Sequence, residues 1–130
     1  WSWSRGLGDV YKRQVYTSML TLEWLKNLGG IKAIEVKNNA KADLMYGEID
    51  RNSLFKGFAA QEDRSTMNAN FTLEEAKLKE RFDSMCADAL INGINGHRSV
   101  GGYRASMYNA LPIASVQTLV DVMKELERTA

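Results

Sequence analysis

The stretch GHRSVGGYR, residues 96–104, holds the chain's only histidine, His97, together with Arg98, Arg104 and three glycines. An arginine guanidinium is a planar fork of donors that matches carboxylate or phosphate. A histidine adds a donor whose charge responds to its surroundings. Gly101 and Gly102 let backbone approach a ligand closely. Together these residue types suit an anionic small molecule. The loop is not a Walker loop, because Gly102 stands where the lysine is required. It is not a dinucleotide-binding turn either, since it leads into a strand rather than a helix. The run GGYRASMY shares a glycine–aromatic pattern with RNA-recognition strands, but no basic surface accompanies it. The bland readings are a solvated histidine, a surface arginine and a plain glycine turn. These residues alone leave both kinds of reading standing.

The elements that must position the motif follow from periodicity. Residues 16–28 read as a helix stopped by Gly29 and Gly30. A second helix over 31–51 places Ile34, Asn38, Ala42, Met45 and Ile49 on one stripe, with lysines and acids elsewhere. A turn-rich connection over 52–64 includes a short strand at 54–58. Residues 65–73 alternate, with Met67, Ala69, Phe71 and Leu73 on one face. Thr72 and Glu75 predict a capping box for a helix over 74–91 that buries Leu78, Phe82, Met85, Cys86 and Ala89. Residues 103–108 alternate again: Tyr103, Ala105 and Met107 oppose Arg104, Ser106 and Tyr108. Pro112 opens a last helix with Val116, Leu119, Val120, Met123 and Leu126 inward. The expected fold is α+β, a small, mainly antiparallel sheet with helices packed on one face. Its other face carries Asn68, Asn70, Arg104 and Ser106 toward water, another domain or a ligand.

The totals bound the function class. The chain has 130 residues, 45% hydrophobic and 25% charged, with a net charge of +1. That composition is globular and supports one core. The charge balance gives no field for nucleic acid, and no run is apolar enough to span a membrane. No metal-ligand cluster is evident. Cys86 is alone, so no disulfide framework exists; with no signal peptide, a reducing, cytoplasmic setting is expected. Buried in a helix, Cys86 reads as core filler rather than a reactive thiol.

Residues 1–14 stand apart. SRGLGDVYKRQ, residues 4–14, resembles the translation of a common transposase-based sequencing adapter, residue for residue. The expectation is that 1–14 form no regular element and pack on nothing. The domain proper would be 15–130, with its coding frame continuing upstream of Val15.

From residue 15 to 129 the chain resembles the phosphoserine aminotransferase family. The motifs that carry the resemblance are SMLTLEWLKNLGG, KADLMYGEID, EDRSTMNANF, GHRSVGGYRASMYNALP and VQTLVDVMKELER. The pairing of His97-Arg98 with a following Gly-Gly-x-Arg is specific within its subgroup. The resemblance implies the small C-terminal domain of a class V, fold-type I enzyme using pyridoxal 5′-phosphate and working as a homodimer. It implies amino transfer between O-phosphoserine and 2-oxoglutarate, with glutamate as the other amino acid, on the way to serine. Arg104 would hold the substrate α-carboxylate. His97 and Arg98 would hold the distal phosphate or carboxylate, reaching into the partner subunit's site. The family's cofactor lysine, its cofactor-stacking residues and a Thr-Pro phosphate motif would fall before position 15. No catalytic or cofactor-binding residue is therefore expected in this chain, which should be inactive alone. The alternative is a stand-alone domain that binds phosphorylated or dicarboxylic acids without catalysis; a third reading is a purely structural domain.

Overall fold

The computed structural model describes residues 3–96 and 101–130. Its elements are α1 (Trp3–Leu28), α2 (Gly30–Arg51), β1 (Phe55–Gly57), β2 (Asn68–Leu73), α3 (Lys79–Asp88), β3 (Tyr103–Ser106) and α4 (Ile113–Thr129). Short 3-10 turns, Gln61–Asp63 and Ala76–Leu78, precede β2 and α3. The chain divides into two compact units, Trp1–Val36 and Lys37–Ala130.

In the first unit α1 begins at Trp3 rather than at residue 16. The expectation that residues 1–14 form no regular element is thereby corrected for 3–14. Once a helix is nucleated, each further residue adds one backbone hydrogen bond, and this stretch has no proline to stop it. Side chains 9–14 are all exposed. The helix ends at the Gly29 and Gly30 pair, whose φ values are +112° and +78°, a region that favours glycine.

In the second unit the sheet has the order β1-β2-β3, antiparallel throughout. Asn68, Ala69, Asn70 and Phe71 pair with Ser106, Ala105, Arg104 and Tyr103. The alternation is as the sequence predicts: Ala69, Phe71, Tyr103, Ala105 and Met107 are buried, while Asn70 is exposed and Arg104 and Ser106 are half-buried. The buried face meets Met45 and Ile49 of α2, Phe82 and Cys86 of α3, and all five predicted inward residues of α4 in one apolar cluster. Phe55, Phe71, Phe82 and Tyr103 form its aromatic centre, with ring centroids 4.9–5.7 Å apart. Such edge-on and offset contacts add to the area they bury.

Three expectations fail around α3. The helix is Lys79–Asp88, shorter than 74–91, and neither Glu75 nor Leu78 is capped by a side chain. Thr72 cannot cap because it is still in the ladder, opposite Lys56. Its hydroxyl lies 3.4 Å from the Lys56 carbonyl and from the Glu74 carboxylate. Leu78, Met85 and Ala89 are only half-buried, so of the five residues expected inward only Phe82 and Cys86 are buried.

Cys86 is 2% exposed, and burial, aided by Asp83, pushes its thiol up to about 11 from 9.0. Because the thiolate is the nucleophile, the native thiol should react with a disulfide reagent about a hundredfold more slowly than the denatured one near pH 8. The raised folded value means the stabilisation is complete below pH 9 and is lost as pH rises toward 11, by up to about 1.4 kcal/mol per pH unit. Comparing wild type with Cys86→Ala across that window checks the slope. Equal reactivity in the folded and denatured chain would refute the buried assignment.

Candidate anion-binding site

The described residues on either side of the motif are paired backbone to backbone. Residues 94–96 run beside β3: the Arg104 N–H donates to the Ile94 carbonyl at 2.7 Å, Asn95 bridges Tyr103, and the Gly96 N–H donates to the Gly102 carbonyl at 2.9 Å. Gly101 and Gly102 have φ of +74° and +67°. A Cβ on Gly96 would overlap the Gly101 carbonyl, and one on Gly102 would sit 2.8 Å from the Phe71 carbonyl oxygen. The glycines are thus required by a sharp return and by close backbone packing.

Arg104 follows directly. Its strand neighbours Tyr103 and Ala105 point into the core, so its own side chain belongs to the opposite face. It pairs across the ladder with exposed Asn70. Beside it the Ser106 hydroxyl donates to Asn68 Oδ1 at 3.1 Å. Among the described residues Arg104 forms no ion pair, and its buried Nε has no acceptor. A guanidinium of this kind commonly finds a carboxylate or phosphate. A cleft of about 320 Å3 adjoins it, lined by residues 89–94 and 104–107, Leu111, and Ser115, Val116, Thr118 and Leu119 of α4.

The strand is anchored on both sides of Arg104. Upstream, Tyr103 OH donates to Asp83 Oδ1 at 2.8 Å, and Lys79 holds the other carboxylate oxygen at 2.6 Å. Burial alone would raise the Asp83 carboxyl, but these two hydrogen bonds hold it below its ordinary value; burial and Asp83 push the Tyr103 phenol up. Downstream, the Met107 N–H donates to the Met67 carbonyl at 2.7 Å. Lys41 Nζ donates to the carbonyls of Met107, Tyr108 and Leu111 at 3.2, 2.7 and 3.1 Å. Lys41 is 1% exposed, and burial lowers its pKa from the ordinary lysine value.

Of the residues singled out from sequence, Arg104 stands on the face opposite the apolar cluster with exposed Asn70 and half-buried Asn68 and Ser106. His97 and Arg98 lie outside the described residues. Lys41 escaped the sequence reading, as did the buried pair of Glu48 on the same helix and Asn52 just past its end. Their signal is the spacing 41, 48 along one edge of the apolar stripe of α2, continued by Asn52. Among the described residues no group of three His, Cys, Asp or Glu side chains could hold a metal, and no helix is long and apolar enough to cross a membrane.

No protein-family model matches the chain. Over 113 residues it is 69% identical to the phosphoserine aminotransferase of Flavobacterium psychrophilum, an overlap of 87% of this chain and 32% of that relative. The chain is similar to the C-terminal part of phosphoserine aminotransferases. A solved phosphoserine aminotransferase, studied for radiation damage of its Schiff base, superposes with a TM-score of 0.80 at 41% identity, over 84% of this chain and 31% of that one. The PLP-bound phosphoserine aminotransferase of Trichomonas vaginalis gives 0.72 at 35% identity, over 78% and 30%. The chain spans about a third of the length of the curated relatives it matches, and the part matched is their C-terminal part.

Proposed function

We propose that this chain is the substrate-anion-recognising part of a phosphoserine aminotransferase, an enzyme exchanging an amino group between O-phosphoserine and 2-oxoglutarate with pyridoxal 5′-phosphate. Arg104 binds the α-carboxylate common to both substrates. His97 and Arg98 meet the distal phosphate or carboxylate, within a cytoplasmic homodimer in which the loop serves the partner subunit's site. Residues 15–130 are the domain, and residues 1–14 are translated adapter. The observation that carries the reading is Arg104: a guanidinium without an acidic partner among the described residues, on a strand tied down at both ends and reached by a glycine-closed loop. The resemblance to curated aminotransferases supplies the identity of the anions.

On this reading the described residues are not expected to hold pyridoxal phosphate. Covalent attachment needs a free lysine amine. Lys41 is the only buried lysine among the described residues, and it spends all three N–H donors on backbone carbonyls. The remaining described lysines are exposed and would give only slow, nonspecific adducts. The chain alone should therefore show no saturable absorbance change with pyridoxal phosphate and no transaminase turnover. A chimera of the Flavobacterium psychrophilum relative carrying residues 15–129 in place of its own C-terminal part should turn over phosphoserine and 2-oxoglutarate. A folded but inactive chimera would overturn the proposal in favour of a non-catalytic binding module; turnover by the chain alone would overturn the division of labour.

A further inference from the structure

The least expected group in the molecule is Lys41. A buried ammonium is costly unless it is satisfied. Among the described residues no carboxylate meets it; three carbonyls do, all from the turn at 107–111. That turn leaves β3 immediately after Ser106 and leads to Pro112, the N-cap of α4. The Tyr108 carbonyl also accepts from the Leu111 N–H at 2.9 Å, so the ammonium adds to a turn that is already closed on itself. The same helix makes a second tie to the same turn three residues earlier, where Asn38 Nδ2 donates to Asn109 Oδ1 at 2.8 Å.

Upstream, Tyr103 is pinned through Asp83. The backbone on either side of Arg104 is thus held by different helices, α3 before it and α2 after it. An arginine that meets a carboxylate as a fork needs its strand fixed in position and direction, since small misplacements are costly in recognition.

We infer that Lys41 is a positioning residue for Arg104: by gathering the 107, 108 and 111 carbonyls it sets the exit of β3 and so the aim of the guanidinium. The inference rests on the reading of Arg104 as the carboxylate ligand. Lys41 touches no substrate, and its effect passes through the strand.

The test is a double-mutant cycle in the chimeric enzyme, with Lys41→Met, Arg104→Ala and the double variant, reading KM and kcat for phosphoserine and glutamate. Contacting groups couple, whereas a general loss of stability is additive. Lys41→Met should lower kcat/KM about tenfold for both substrates, chiefly through KM, when Arg104 is present, and by less than about twofold when it is alanine. The same factor in both backgrounds overturns the inference and leaves the functional reading standing. A silent Arg104→Ala overturns both. If Lys41→Met does not fold, Asn109→Ala, which removes the milder tie to the same turn, takes its place. It should show the same dependence on Arg104 with about a threefold effect, and additivity there is equally decisive against the inference.

Discussion

In the chimeric enzyme, Arg104→Ala lowers kcat/KM for phosphoserine and for glutamate alike, by about ten- to a hundredfold. Every amino- or keto-acid substrate has an α-carboxylate, and Arg104 is the group proposed to meet it. Loss of one charge-assisted contact is worth roughly 1.5–3 kcal/mol, which is that factor in rate. The half-buried side chain and the anchored strand place Arg104 toward the upper end. Arg98→Ala separates the substrates instead. The distal group is phosphate in one and carboxylate in the other, and phosphate carries more charge and one more oxygen. Arg98→Ala should therefore damage phosphoserine turnover more. Because the loop is proposed to serve the partner's site, mixing Arg98→Ala subunits with cofactor-lysine mutants should restore activity. In that hybrid the one cofactor-competent site receives an intact Arg98 from the other subunit. Equal losses for both substrates on Arg98→Ala, or no rescue in the hybrid, would refute the assignment of the loop; a selective loss on Arg104→Ala would refute the assignment of the strand.

The strands and the last helix were legible because burial follows period. In β3, Tyr103 and Ala105 alternate with Arg104 and Ser106, and only one face can be apolar. In α4 the stripe from Val116 to Leu126 leaves no other packing. Arg104 was legible for the same reason: an arginine at an outward position between two buried neighbours must face away from the core. Lys41 was not. Its position on α2 is one step off the apolar stripe, where lysines usually reach solvent. What buries it is the turn at 107–111, more than sixty residues away in sequence. A set of carbonyls converging in space leaves no mark in the residues that carry them. The capping box failed for a related reason. Thr72 and Glu75 have the right types and spacing, but pairing with Lys56 keeps Thr72 extended, so ladder contacts override the local signal. The start of α1 failed in the opposite sense: composition marked residues 1–14 as foreign, while backbone hydrogen bonding is indifferent to origin.

The two adjacent glycines at the loop's return should respond very differently to alanine. Both have positive φ, +74° at Gly101 and +67° at Gly102, so either alanine is strained by roughly 1–2 kcal/mol. A Cβ on Gly101 meets nothing within 4 Å. One on Gly102 would lie 2.8 Å from the Phe71 carbonyl oxygen and 3.2 Å from Thr72 Cγ2. That carbonyl belongs to β2, Phe71 pairs with Tyr103, and their rings stack at 5.7 Å. It cannot retreat without opening the ladder that carries Arg104. Gly101→Ala should therefore lower stability by about 1 kcal/mol, a shift of roughly 3–6 °C in Tm. Gly102→Ala should lower it by about 3 kcal/mol or more, in the range reserved for steric conflict in a packed interior. The functional effect should follow the geometry as well as the stability. Gly102 accepts the hydrogen bond from Gly96 that closes the loop, so displacing it moves the base of the His97–Arg98 segment and the start of β3 together. In the chimera, at a temperature where both variants are folded, Gly102→Ala should cost more phosphoserine turnover than Gly101→Ala. Equal Tm losses at the two positions, or a Gly102→Ala chain as stable as wild type, would mean that the close approach to Phe71 does not govern the hairpin.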